Sequence, residues 1–274
     1  MIGLQPCEEA GLRLQGKRIV VTGGSRGIGA SLVRAYTAAG ASVESIARES
    51  SHGHQVAEQA NASSVGDAAA RFSPCDVGDK AQVDDAFQAA VERMGGIDVL
   101  AHAAAINITA PARDVTDEAA TEMFRINQLG TIHTNQAACR YMAPAGGGAI
   151  INFGSEGGIS GDQHPGMNSA YGTTKAAVHA WTRHIALEWG PLGIRANAVL
   201  PHMWTPMYEQ FRATLTPEEL VEHDRETRRQ VPLGGRFGDP DQDLVPVMLF
   251  LASDDSRFIT GQMIPVDGGL IYVR

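Results

Sequence analysis

Short apolar, β-branched runs alternate along this chain with longer stretches in which apolar residues recur at helical spacing. The short runs predict buried strands and the 3.6-residue recurrence predicts amphipathic helices. Arg18–Thr22 is the first strand; it meets a cluster of glycines and then a helix from about Ile28 to Ala39, which Gly40 ends. Ser42–Ile46 supplies the second strand and Phe72–Cys75 a short third. Lys80–Met94 reads as a helix, with Val83, Phe87, Ala90, Val91 and Met94 in one apolar stripe. Ile97–His102 is the fourth strand, Thr116–Met142 holds one or two helices, and Ala149–Phe153 is the fifth strand. A long helix over Ala170–Trp189 leads to a sixth strand, Arg195–Leu200. Its apolar positions Ala176, Ala177, Ala180, Trp181, Ile185 and Trp189 read as core or subunit interface. Pro217–Gln230 is a charged helix, Asp239–Leu251 another, and Met263–Val266 the last strand.

Strand, helix, strand repeated in this way predicts an α/β fold: a doubly wound parallel sheet of about seven strands with crossover helices on both faces. No linker or composition shift divides the chain, so residues 1–274 read as a single domain, with residues 1–15 as an N-terminal extension. Glu49–Ala70, rich in Ser, Ala, His and Gly, is the loosest segment and holds one poorly defined crossover helix. Its His52-Gly53-His54 lacks further spaced ligands, so it reads as a solvated loop, and no metal site is predicted.

Composition narrows the function classes. With 43% hydrophobic and 19% charged residues the chain is globular, and its net charge of −9 argues against a nucleic-acid partner. Arg225, Arg228 and Arg229 lie among acidic residues on the charged helix and read as a solvated face. Cys7, Cys75 and Cys139 are odd in number and far apart, which predicts neither a disulfide framework nor a zinc site. Met1–Gln15 has no apolar run of signal-peptide length, and no stretch reaches the roughly 18 apolar residues of a membrane span. The expectation is a cytoplasmic protein with no membrane partner.

The chemistry begins at Thr22-Gly23-Gly24-Ser25-Arg26-Gly27-Ile28-Gly29, between a predicted strand and a predicted helix. Glycines there permit a tight turn, close backbone approach to a pyrophosphate, and close packing of helix on sheet. The helix N-terminus then offers unpaired N–H groups to the phosphates. Further along, Tyr171 and Lys175 are four apart on a predicted helix and so share a face. A phenol with an ordinary pKa near 10 becomes a usable acid or base beside an ammonium.

The spacing Thr-Gly-x3-Gly-x-Gly resembles the fingerprint of the short-chain dehydrogenase/reductase family, and the resemblance runs from about Lys17 to Gly269. It implies a Rossmann-type fold, a nicotinamide cofactor and, commonly, a tetramer; a homo-oligomer, tetramer or dimer, is therefore expected. By resemblance, Tyr171 passes the proton to or from the substrate oxygen and Lys175 lowers its pKa while holding the nicotinamide ribose. Ser155, just after the fifth strand, is similar to the serine that binds the substrate oxygen, and Asn127 to the asparagine that helps hold a relay water. The cofactor is expected to lie on Gly23, Ser25, Arg26, Gly27, Ile28 and Gly29, on Asp76 and Val77 at the adenine, on Ala103 and Ala104, and on Tyr171 and Lys175. Pro201 resembles the proline near the nicotinamide amide, and Thr205 is assigned to the carboxamide or phosphates. Asp267-Gly268-Gly269 matches the family's C-terminal ending, which supports subunit contacts.

Ala47 stands where NAD-preferring members carry Asp, and Arg48 follows it. Arg26 and Arg48 without a carboxylate favour NADP, with NAD possible. Three departures stand out. His102-Ala103-Ala104-Ala105 replaces the family's Asn-Asn-Ala-Gly, with His102 expected to act as a structural, hydrogen-bonded substitute. His202 replaces the glycine after Pro201, and the run to Thr205 is one residue short. The Ser155-to-Tyr171 separation is 16 against the more usual 13, the extra residues falling in Ile159–Asn168 with Asp162, Gln163, His164 and Met167. These polar residues hint at a polar substrate. Residues 203–230 are expected to form a substrate lid whose Trp204, Met207, Tyr208 and Phe211 give a partly apolar pocket. The predicted activity is an NAD(P)-dependent ketone/secondary-alcohol oxidoreductase acting on a small molecule. A catalytically silent dinucleotide-binding regulator and a dehydratase or epimerase are the alternatives. A 3-oxoacyl thioester, a sugar or polyol and a cyclic ketone all remain open as substrates.

Overall fold

The computed structural model describes residues 13–160 and 168–273. Cys7, most of the N-terminal extension, and Asp162, Gln163, His164 and Met167 of the predicted insertion lie outside the described residues. Within them, seven strands form one sheet: β1 (Arg18–Thr22), β2 (Ser42–Ala47), β3 (Ala70–Pro74), β4 (Val99–His102), β5 (Gly148–Phe153), β6 (Ile194–Pro201) and β7 (Met263–Val266). Every pairing is parallel, in the order β3-β2-β1-β4-β5-β6-β7. The chain winds outward from β1 in one direction and from β4 in the other, so the order reverses between those two strands. Crevices for ligands open at that point, beyond the carboxyl ends of the strands.

The helices follow from the sequence pattern with identifiable stops. α1 (Gly27–Ala38) packs Leu32, Val33 and Tyr36 against one sheet face, together with Met248 and Leu251 of α9 (Val245–Ala252). α3 (Lys80–Met94) buries Val83, Phe87 and Ala90 on the other face, beside Met142 of α5 (Gly130–Met142) and Ile185 and Trp189 of α6 (Ser169–Trp189). Asp79 caps α3 by accepting from the Ala81 and Gln82 N–H groups, and Gly95 ends it at φ 79°. Arg93 in the last turn of α3 reaches back to the buried carboxylate of Glu44 on β2, with Nη2 to Oε1 at 2.7 Å and Nε to Oε2 at 3.1 Å.

The expected strands all form, β1 and β7 with the expected bounds and the others with ends moved by at most two residues. The helical regions differ more. α2 (Ser50–Asn61) is a regular helix, capped by Glu49, so His52-Gly53-His54 is helical and not the solvated loop expected. Gly53 lets it lie on Phe72, whose ring atoms would stand 2.1 Å from an added Cβ. Thr116–Met142 divides into α4 (Asp117–Met123), a π-helical turn (Phe124–Leu129) and α5. The predicted helix Asp239–Leu251 is likewise a π turn (Pro240–Leu244) followed by α9. The predicted lid contains a short helix α7 (Pro206–Arg212) before α8 (Pro217–Gln230). Cys75 and Cys139 are free thiols, and no helix among the described residues is long and apolar enough to cross a membrane.

Candidate active site

The parallel sheet brings the candidate residues to one edge. The glycine turn follows β1, Arg48 follows β2, Asp76 and Val77 follow β3, Ala103 and Ala104 follow β4, and Ser155 follows β5, while Pro201 ends β6. Six strands thus deliver nearly the whole set to the carboxyl edge, because parallel strands all point one way.

The turn after β1 is built for close approach. Gly23, at φ 69°, lies against the chain leaving β4, where an added Cβ would stand 2.9 Å from the Ala104 backbone. At Gly29 a Cβ would meet the Gly23 carbonyl oxygen at 2.2 Å. α1 opens at Arg26 with no side-chain cap and no acidic residue in its first turn. Its N–H groups therefore face outward uncompensated, a cradle suited to a pyrophosphate. Pro206, at the start of α7, sits over Gly27, and Thr205 caps that helix by accepting from the Tyr208 N–H at 3.2 Å. The segment expected to form the lid thus begins beside the cradle.

Arg26 and Arg48 are both exposed. Asp76 is committed differently: one carboxylate oxygen accepts from the Gly78 N–H at 2.9 Å, the other from Arg125 at 2.9 Å. The Val77 side chain is buried in the core, and its carbonyl accepts from the His133 ring at 3.1 Å.

Lys175 and Tyr171 share one face of α6, with the ammonium nitrogen 5.5 Å from the phenol ring centre. Lys175 is buried and donates to the Phe153 carbonyl at 2.8 Å. Burial lowers its pKa to about 8, the Glu156 carboxylate opposing the shift. Desolvation, then the same carboxylate, push the Tyr171 phenol above its ordinary value, while a hydrogen bond with Ser155 pulls it down. Asn127 lies in the π turn. Its side chain accepts from the Ile106 N–H at 2.8 Å and donates to the Ile106 carbonyl at 2.9 Å and to Thr174 Oγ1 at 3.1 Å. It therefore braces the turn of α6 that carries Lys175, and a π bulge inside a helix is a frequent mark of a functional position.

His102 fills the expected structural place in part. Its Nδ1 sits between Thr22 Oγ1 at 3.0 Å and Thr134 Oγ1 at 2.9 Å, but Nε2 is buried without a partner among the described residues. Burial, then the Lys175 charge, lower its pKa to about 3.

Four neighbours of the site were not singled out for a role in it. His179 accepts from the Ser155 backbone N–H through Nε2 at 3.2 Å, fixing the ring proton on Nδ1. Glu156 accepts from the Ser155 hydroxyl at 3.2 Å, and its other oxygen lies 3.8 Å from His202 Nδ1. The His202 ring stacks on Phe237 at 3.7 Å, and Phe237 stacks on Tyr208 of α7 at the same spacing. The fourth is Phe237 itself. Glu156 had a signal in sequence, being adjacent to Ser155, and His202 stood out in place of the family's glycine; Phe237, which joins His202 to Tyr208, had none.

Comparison with known proteins places this arrangement. A family model described as Enoyl-(Acyl carrier protein) reductase matches residues 23–271. An L-2,3-butanediol dehydrogenase from Corynebacterium glutamicum is 35% identical, over 93% of this chain and 99% of the relative. A sorbitol dehydrogenase from Cereibacter sphaeroides is also 35% identical, over 94% and 98%. Levodione reductase, a solved structure, superposes with a TM-score of 0.86 at 30% identity, covering 94% of this chain and 98% of its own. A short-chain type dehydrogenase/reductase from Mycobacterium ulcerans gives 0.86 at 29% identity, over 94% and 91%. The fold and site thus define an NAD(P)-dependent oxidoreductase acting on CH–OH groups. The chain belongs to the short-chain dehydrogenase/reductase family.

Proposed function

We propose that this protein interconverts a ketone and a secondary alcohol of a small molecule, with NADP as its preferred cofactor. The observation that carries the reading is the meeting of Ser155, Tyr171 and Lys175 on the sheet edge that also holds the glycine cradle. A bound nicotinamide dinucleotide supplies or takes up the hydride. The Ser155 hydroxyl donates to the substrate oxygen and fixes its position. In reduction the Tyr171 phenol gives its proton to that oxygen; in oxidation the phenolate takes it back. The Lys175 ammonium favours the phenolate by charge and is placed to bond the nicotinamide ribose. Asn127 keeps the α6 turn, and so Lys175, in place. Pro201 and Thr205 flank the nicotinamide end, Asp76 and Val77 the adenine end.

The cofactor preference rests on Ala47, which leaves no carboxylate at the end of β2, and on the two exposed guanidiniums of Arg26 and Arg48. No hydrogen bond to another described residue occupies either one. A 2′-phosphate gains charge-assisted bonds there, where an acidic residue would repel it. The protein acts as a homo-oligomer, as exposed apolar residues such as Leu187, Phe258 and Tyr272 support.

Initial rates with NADPH and NADH, run on the native protein and on Tyr171→Phe, test the reading. Loss of the phenol hydroxyl lowers kcat by about 10²–10⁴-fold while the NADPH Kd stays within about threefold. NADPH is favoured over NADH by about tenfold or more, the worth of one charge-assisted bond. Turnover retained by Tyr171→Phe overturns the mechanism, and a tenfold preference for NADH overturns the cofactor assignment.

A further inference from the structure

The Ser155 hydroxyl is already occupied. It donates to Glu156 Oε2 at 3.2 Å, accepts from the Gly157 N–H at 3.2 Å, and is also hydrogen-bonded to the Tyr171 hydroxyl. To polarise a substrate carbonyl, Ser155 must turn its single proton away from Glu156. A ketone with no other polar group would then leave a partly buried carboxylate oxygen without its donor, at a cost comparable to a lost charged hydrogen bond. A substrate that brings its own donor avoids that loss. The other side of the carboxylate is flanked too. His202 Nδ1 lies 3.8 Å from Oε1, with the His202 side chain only 10% exposed. Its Nε2 is buried without a partner among the described residues. The ring is held flat against Phe237, which is stacked in turn on Tyr208 of the lid, so this wall of the site is fixed by packing.

We infer that Glu156, backed by His202, forms a specificity subsite for a hydroxyl on the carbon next to the reacting carbonyl, so that the substrate is an α-hydroxyketone and the product a vicinal diol. The inference rests on the oxidoreductase reading above and deepens it. Oxygens on adjacent carbons of a diol stand about one hydrogen-bond length apart, which matches the spacing of the two acceptor and donor groups on Ser155 and Glu156. The substrate's neighbouring O–H donates to Glu156 Oε2, and the Ser155 proton is released to the carbonyl oxygen. Selection therefore operates on the bond made to the reacting oxygen, not on affinity alone. A carboxylate at this point also repels anionic substrates.

Reduction of 3-hydroxybutan-2-one and butan-2-one, which differ by one hydroxyl, is compared in the native protein, Glu156→Leu and Glu156→Gln. The native protein favours the hydroxyketone by about thirtyfold in kcat/KM. Glu156→Leu lowers the hydroxyketone value by a similar factor and raises that of butan-2-one severalfold, because Ser155 is freed. Glu156→Gln, which still presents an acceptor, recovers part of the hydroxyketone preference. The pH profile of both variants moves to lower pH, since burial still raises the Tyr171 pKa but the carboxylate that adds to it is gone. NADPH quenching of intrinsic fluorescence verifies that each variant is folded. Equal losses on both ketones, or no native preference between them, overturn the subsite and leave the oxidoreductase reading standing. Failure of the native protein to reduce either ketone with either nicotinamide also overturns the subsite, while the oxidoreductase reading is decided separately by the Tyr171→Phe comparison above.

Discussion

His102 illustrates how one side chain ties stability to pH. The imidazole is buried and held neutral, its pKa lowered to about 3 by burial and the Lys175 charge. In the unfolded chain it titrates near 6.5. Between those values the unfolded chain binds a proton that the folded one refuses, so stability falls as pH drops through that window. The loss reaches on the order of 3 kcal/mol by pH 4. His102→Asn keeps a donor and an acceptor between Thr22 and Thr134 and removes the titrating group. Urea midpoints of the cofactor-free protein at pH 7 and pH 4.5 therefore differ less in the variant than in the native chain; an equal difference would show that His102 is not the group responsible. Residues of this kind divide by how far sequence spacing constrains them. Tyr171 and Lys175 are legible because four residues on a helix is a geometric statement, and Ser155 because it follows a strand. The Glu156–His202 approach joins positions 46 residues apart in the sequence. Only the packing of β5 beside β6 brings them together, and no periodicity carries that information.

At the scale of elements, the β strands were readable because each is a short apolar run between turn residues, and the sheet buries both faces. α2 was obscured by its composition: small and polar residues with a glycine at its centre weaken the helical signal, although Gly53 is there for Phe72. The π turns at Phe124–Leu129 and Pro240–Leu244 were invisible for another reason. A single wide turn shifts the apolar stripe by less than the sequence pattern resolves. Between elements, the Glu44–Arg93 pair joins α3 to β2, the strand that Arg48 follows. The Glu44 side chain is 1% exposed, and its carboxylate accepts from the Arg93 guanidinium and the Ser73 hydroxyl. Arg93→Met leaves that carboxylate uncompensated and lowers stability by about 3–5 kcal/mol. Adding Glu44→Met to the same chain recovers most of the loss, because two apolar residues of similar volume replace the buried pair. Denaturant unfolding of the single and double variants measures this, and a double variant as unstable as the single would mean that α3 is held by packing alone.

For the molecule as a whole, the acidic balance of −9 and the scattered Arg residues argue against a nucleic-acid partner, yet they say nothing of self-association. That question belongs to the surface. Phe258 is fully exposed and lines one shallow pocket with Gly190 and Gly193, which flank the half-exposed Leu192. Leu187, near the end of α6, is 80% exposed. The helix pattern predicted core or interface for α6, and the fold shows the core part at Ile185 and Trp189. Ile185 and Trp189 are buried against the sheet, while Leu187 points away from it. Large apolar side chains left exposed at one end of a domain mark a contact surface more often than a defect. This patch lies at the amino edge of β6, opposite the carboxyl edge that holds Ser155 and Pro201, so its loss should separate assembly from chemistry. In the double variant Leu187→Glu, Phe258→Glu, sedimentation at micromolar concentration gives a smaller assembly than the native chain. Within the smaller assembly the NADPH Kd is preserved, because the glycine cradle is untouched. An unchanged sedimentation coefficient would place the subunit contact elsewhere on the surface, with Tyr272 and the chain around Asp267-Gly268-Gly269 the next surface to change.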